Sequence, residues 1–123
     1  MIEHTGIPVV DYQTMKAFYE SVLPTVGYTL KYDIEDAAGF MEGGHTSIWI
    51  SKAEKGAQLH VAFRAKSKAE VEAFHKAGLD AGGSDNGAPG YREDYSPDYY
   101  AAFIHDPEGN NIEAVWYDPE KSE

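Results

Sequence analysis

Cysteine is absent from this 123-residue chain, which excludes disulfides, thiolate metal ligands and cysteine nucleophiles together. Basic residues are scarce: 10 Lys and Arg stand against 21 Asp and Glu, for a formal charge of −11. Nucleic-acid phosphates need clustered cations, so no nucleic-acid partner is expected, although a cationic ligand would be tolerated. Most of the carboxylates read as solvated surface. Long apolar runs are missing too. Nothing approaches the ~20 apolar residues of a membrane span, and Met1-Ile-Glu-His4 runs into an apolar strand without the basic and apolar regions of a signal peptide. The expectation is a soluble, cytoplasmic, single-domain protein with no membrane partner.

What the chain does contain is an internal repeat. His4 opens the segment His4-Thr-Gly-Ile-Pro-Val-Val-Asp11, and His60, 56 residues later, opens His60-Val-Ala-Phe-Arg-Ala-Lys-Ser67. The same offset maps Asp11 onto Ser67, Met15 onto Val71, Phe18 onto Phe74, Leu23 onto Leu79 and Gly27 onto Gly83. Helix cap, helix core, terminating glycine and histidine all fall in register, which points to two equivalent modules and a site built between them.

Each half reads as strand, helix, then strands. The pattern predicts a strand over 2–9, a helix from the Asp11 cap to about Val22 with Met15, Phe18, Tyr19 and Val22 on its apolar face, and a stop at Pro24 and Gly27. Strands follow over 28–33, 39–42 and 46–51. After a turn at Lys55-Gly56, Leu59, Val61 and Phe63 alternate with His60, Ala62 and Arg64 as a half-buried strand. Ser67-Lys-Ala-Glu70 has the pattern of a capping box, and Val71, Phe74 and Leu79 form the expected buried face of a helix ended by Gly82-Gly83. Residues 84–98 contain Asn86-Gly87, Pro89-Gly90 and Ser96-Pro97 and read mostly as an irregular loop. Tyr99 to His105 is a strand, Asp106-Pro-Glu-Gly109 a turn and Asn111 to Tyr117 the last strand. The modules span about 1–54 and 57–118, with a frayed tail at 119–123.

Side chains alternate across a strand, so His60, with Ala62 and Arg64, faces away from the helix that Val61 and Phe63 cover. His4, with Gly6 and Pro8, does the same in the first module. Glu113 interrupts the apolar run Ile112-Glu-Ala-Val-Trp116, and a carboxylate there must be paired, ligating or facing water, because an isolated buried charge costs several kcal/mol. Two imidazoles and one carboxylate suit a borderline divalent ion with positions left open for substrate. The residues equally allow satisfied core or interface histidines, with Glu113 paired to Arg64. His45 reads as an exposed turn residue and His75 as the edge of the core. His105 is either a base near the mouth of the site or a capping donor. Trp49, Tyr99 and Tyr100 are core aromatics or pocket walls, with one of the two tyrosines necessarily turned from the core. Asn86, Arg92 and Tyr95 lie in the long loop, and Arg92 is a candidate for an anionic substrate group.

The repeated βαβββ pattern, the two strand-opening histidines and the ending Asp106-Pro-Glu-Gly-Asn-Asn-Ile-Glu113 together resemble the vicinal oxygen chelate superfamily of glyoxalase I, fosfomycin-resistance transferases, extradiol dioxygenases and bleomycin-resistance proteins. The segments Asp85-Asn-Gly-Ala-Pro-Gly-Tyr-Arg92 and Tyr99-Tyr-Ala-Ala-Phe103 are similar to those of a glyoxalase-like subgroup. The resemblance implies an α+β fold, two tandem βαβββ modules making a curved, cup-like mixed sheet with helices on its outer face. It implies His4, His60 and Glu113 as metal ligands, and a homodimer in which His4 serves the partner's site. A fourth ligand, a glutamate in glyoxalase I, falls at Trp49 when Ile48 is aligned with Ile112, so orthodox glyoxalase I activity is not expected. The reading is a metal-dependent enzyme of lyase, transferase or dioxygenase type. Its substrate is a small oxygen-bearing molecule that chelates a divalent ion (Zn, Mn, Ni, Co or Fe), with Trp49, Arg64, Arg92, Tyr99, Tyr100 and His105 as substrate contacts. The alternative is a non-enzymatic protein of the bleomycin-resistance type that sequesters a small molecule in the same cup. A third possibility is an interaction module with structural histidines.

Overall fold

The strand β1 (Thr5–Val9) leads into α1 (Tyr12–Val22), where the Asp11 side chain accepts from the Thr14 amide at 3.2 Å, the cap its sequence calls for. Tyr12, Met15, Phe18, Tyr19 and Val22 form the buried face. A 3-10 turn at Leu23–Val26 extends the helix until Gly27, at φ 97°, takes the left-handed conformation that only glycine adopts without strain. Three antiparallel strands follow, β2 (Thr29–Ile34), β3 (Ala37–Glu42) and β4 (His45–Lys52), and β4 returns to pair in parallel with β1. The sheet order is β1-β4-β3-β2.

The second module repeats this path as β5 (His60–Arg64), α2 (Lys68–Asp80), β6 (Ser84–Tyr91), β7 (Tyr99–His105) and β8 (Asn111–Tyr117), in the order β5-β8-β7-β6. The result is an α+β protein of two four-stranded mixed sheets, both open. This computed structural model describes residues 1–56 and 58–121, so Ala57 at the expected start of the second module, and Ser122 and Glu123, lie outside the described residues. Ile7, Phe18, Tyr19 and Phe40 of the first module share one buried cluster with Phe63, Val71, Phe74 and Ile104 of the second. The helix-covered faces of both sheets thus close on a common core, and the histidine-bearing faces remain open. No helix among the described residues is long and apolar enough to cross a membrane.

Five expectations are corrected. Residues 84–91 are an edge strand rather than loop: β6 pairs antiparallel with β7 through register shifts at Asp85/Gly87 and Gly87/Gly90, and only 92–98 remain turn. Bulges and an edge position are where a strand tolerates Gly and Pro. Leu79 is 42% exposed instead of buried. Gly78 takes the core position, pressed so close to Ile104 that an added Cβ would lie 3.0 Å from its side chain, and this turns the next residue ~100° toward solvent. In the capping box, Ser67 accepts from the Glu70 amide as expected, but the Glu70 carboxylate accepts from the Lys66 amide rather than that of Ser67. The first strand starts at Thr5, leaving His4 just before it. In the tail, the Lys121 amide donates to Asp118 and Lys121 Nζ sits 4.1 Å above the Tyr91 ring, so this part is a turn tied to the body.

Candidate metal centre

The parallel pairing of first and last strands sets equivalent residues opposite one another in the two modules. Ala62 pairs with Glu113 and then Phe103, while Gly6 pairs with Trp49 and then Gly39. Trp49 therefore stands where Glu113 stands in the other half, as the alignment of Ile48 with Ile112 predicts. Its ring lies over Gly39, where an added Cβ would come within 3.0 Å of it, and stacks on Tyr32 at 5.6 Å between centroids.

Glu113 is only 2% exposed, yet every polar atom of it is engaged. His60 Nε2 donates to Oε1 at 2.8 Å, and the Tyr99 hydroxyl donates to Oε2. Burial first, and then the carboxylate it serves, push the Tyr99 phenol above the ordinary tyrosine range. The floor around this pair is apolar, formed by Ala101, Phe103 and Val115 with Tyr99 packed against them. Arg64, the alternative partner for Glu113, instead lies 4.9 Å above the Tyr117 ring.

His4 and His60 line one cavity of about 400 Å³ between the modules, together with Tyr28, Ser47, Ala62 and Phe63. The His4 ring is turned to its neighbour, with Nδ1 2.5 Å from Glu3 Oε1. That hydrogen bond is the main reason the Glu3 carboxyl sits below its usual range. His45 completes the group: its Nε2 donates to the Glu3 carbonyl at 2.7 Å. Among the described residues, no three of His, Cys, Asp and Glu come together in a way that could hold an ion. His60 and Glu113 stand side by side, and among the described residues no third such donor lies beside them.

The remaining candidates divide by strand face. Arg92 reaches the open face, held by the Gly90 and Ala88 carbonyls at 2.9 and 2.7 Å with its guanidinium over Phe103. With Asn86, Tyr95 and Asn111 it borders a cavity of about 280 Å³. His105 shares the Phe103 side of β7 by alternation, opposite Asn111 and Ser84. Tyr100 faces the other way. It is buried against α2, with its hydroxyl on Glu72 at 2.9 Å and burial pushing its phenol up to about 12, so it is the tyrosine that belongs to the core and not to a pocket wall. His75 pairs with Asp85 at 2.8 Å.

Two anchors escaped sequence reading. Asp106, 3% exposed, accepts from the Tyr19 hydroxyl at 2.5 Å, from Asn110 Nδ2 and from two backbone amides of its own turn. Glu108 accepts from the Val10 and Asp11 amides at 2.9 and 2.7 Å. Both tie the last turn of the second module to the first helix, across separations of 87 and 97 residues. The Asp-Pro-Glu-Gly motif signals a turn, but nothing local signals partners so far away.

The fold and this pair define an α+β protein of tandem βαβββ modules with polar residues gathered on open sheet faces. The chain belongs to the Glyoxalase/Bleomycin resistance protein/Dioxygenase superfamily, whose family model matches residues 1–114. Among solved structures, a glyoxalase/bleomycin resistance protein from Albidiferax ferrireducens T118 is 28% identical at a TM-score of 0.78, over 92% of this chain and 95% of that one. A glyoxalase/bleomycin resistance protein/dioxygenase family enzyme from Burkholderia phytofirmans PsJN shares the fold at 18% identity and a TM-score of 0.74, over 94% and 98% of the two chains. A fosfomycin resistance protein from Listeria monocytogenes shares it at 17% identity and 0.70, over 96% and 93%. No curated protein matches the chain.

Proposed function

We propose that the protein is a metal-dependent enzyme in which His60, Glu113 and His4 hold a divalent ion that a small oxygen-bearing substrate chelates. The observation that carries this reading is the His60–Glu113 contact of 2.8 Å, made by a carboxylate buried to 2% exposure on an otherwise apolar floor. A carboxylate so placed needs a cationic partner, and imidazole with carboxylate is a donor set for Zn, Mn, Ni, Co or Fe(II). When bound, such an ion supplies Lewis acidity that stabilises developing negative charge on a substrate oxygen. Tyr99 holds the second Glu113 oxygen and so fixes the direction of the first. Phe103, Ala101 and Val115 exclude water from the carboxylate. Trp49 in place of a fourth carboxylate argues against orthodox glyoxalase I chemistry, and the whole chain acts as one domain.

The third donor comes, in this reading, from a second copy of the chain, so that a homodimer completes each site. Mixing tests it. His4→Ala and Glu113→Ala homodimers should each lose metal. Unfolding and refolding them together should restore about one intact site per heterodimer, read by elemental analysis. No recovery on mixing, with wild-type metal intact, would place all three ligands in one subunit. A second reading, a protein that sequesters a small molecule, is favoured by the Trp49–Tyr32 stack on the open face of the first sheet.

A further inference from the structure

A third cavity, of about 490 Å³, opens where the modules meet, bordered by Arg64, Lys66, Glu42, Tyr28, Trp116 and Tyr117. Its size is that of a small-molecule site. It adjoins the cavity that holds His4 and His60: Tyr28 lines both, and β5 with its extension runs through the two, residues 60–63 in one and 64–66 in the other.

The charges of this cavity run against those of the molecule. The chain carries −11 overall and has only 10 basic residues, so an anion is repelled unless cations are concentrated locally. Here two of the ten face one space against one carboxylate, Glu42. Two of the other lysines are spent on acidic neighbours, Lys16 on Asp33 at 2.6 Å and Lys76 on Asp80 at 2.8 Å. Among the described residues Arg64 and Lys66 form no ion pair. Arg64 is instead held by the Tyr117 ring beneath it, at 4.9 Å, which leaves its forked donors free for a planar or tetrahedral oxyanion. Tyr28, Trp116 and Tyr117 supply flat apolar walls.

We propose that this cavity binds the anionic end of an aromatic carboxylate or phosphate, with Arg64 and Lys66 on the oxyanion and the ring between Tyr28, Trp116 and Tyr117. Building on the function proposed above, this is the far end of the molecule whose oxygens reach the His60–Glu113 centre. Arg64 is four residues from His60 along β5, roughly 13 Å of extended strand, and its register partner Val115 is two residues beyond Glu113. The substrate is therefore an elongated anion rather than a two- or three-carbon molecule.

Titration of the purified protein with phenyl phosphate, benzoate and phenol at low ionic strength, followed by calorimetry and Trp fluorescence, tests this. One or both anions should bind saturably and phenol about tenfold more weakly or not at all, and which anion binds tighter separates phosphate from carboxylate recognition. Arg64→Gln should weaken the anion at least about tenfold and Arg64→Lys less, while Glu42→Gln should tighten it. The fluorescence change should vanish in Trp116→Phe. Glu113→Gln, which removes the proposed metal ligand, should leave anion binding in place. Anion binding lost in Glu113→Gln but kept in Arg64→Gln would put the anion on the metal and overturn the inference while sparing the metal centre. No saturable binding of either anion would overturn it as well. Arg64→Gln is judged only if its circular dichroism and melting match wild type, and Lys66→Ala, at an exposed position, provides the second variant.

Discussion

At the scale of single residues, the Glu113 carboxylate governs the site because it cannot be solvated where it stands. Its two oxygens are divided between His60 and Tyr99, and loss of either partner leaves part of a buried charge uncompensated. Tyr99→Phe should leave the fold intact and weaken metal binding by about 10–100-fold, the effect usual for a group that orients a ligand, as measured by competition with a chelating dye. Burial also acts on the phenols. Tyr19, Tyr99 and Tyr100 all have pKa values raised first by burial and then by a carboxylate partner. Unfolded tyrosine titrates near ~10, so above that pH the folded state keeps protons the unfolded state loses. Stability from these groups is complete below about pH 10 and falls as pH rises toward the folded values, near 12 for Tyr100. Absorbance titration should find these phenols ionising only as the protein unfolds. That His60 lies on the open face and that Glu113 needs a partner was legible in the sequence, from parity along the strands and the break in an apolar run, and the structure makes them partners of each other. Tyr99 was legible only as a core aromatic or a pocket wall, because its partner Glu113 sits on another strand.

At the scale of elements, legibility followed how local the determining forces are. The caps at Asp11 and Ser67 and the stop at Gly27 depend on residues within one turn, and the structure reproduces them. The strands β7 and β8 fall at the residues their alternation predicts. By contrast, β6 carries Asn86-Gly87 and Pro89-Gly90, which locally favour turns, and it is a strand only because β7 offers a pairing edge that tolerates bulges. Leu79 misled for the same kind of reason: the close approach of Gly78 to Ile104 sets the phase of α2, and a partner on β7 does not show in helical spacing. The turn at 106–110 is a further such tertiary contact. Asp106→Ala would orphan the buried Tyr19 hydroxyl and two amides, and should cost about 3–5 kcal/mol, read as a lower denaturation midpoint with the slope unchanged. A loss under about 1 kcal/mol would mean that this turn does not bind the modules together.

At the scale of the whole molecule, the repeat found in the sequence becomes a fold in which each module buries its helix side in a common core and leaves its other face open. Two equivalent histidines reach one inter-module cavity, but only one of them meets the carboxylate. The duplication is thus symmetric in backbone and asymmetric in chemistry, with Glu113 in one half and Trp49 in the other. Sequence could place residues on faces, but it could not say which faces meet, since that depends on the packing of 2 modules and of any second copy. The central claim is that the His60–Glu113 pair holds a metal ion. Elemental mass spectrometry of untagged protein, run beside His60→Ala, tests it most directly. The account predicts close to one divalent ion per chain in the wild type and none in the variant. Wild-type protein that stays metal-free after reconstitution with Zn, Mn, Ni, Co and Fe(II), or a variant that keeps its metal, would contradict it.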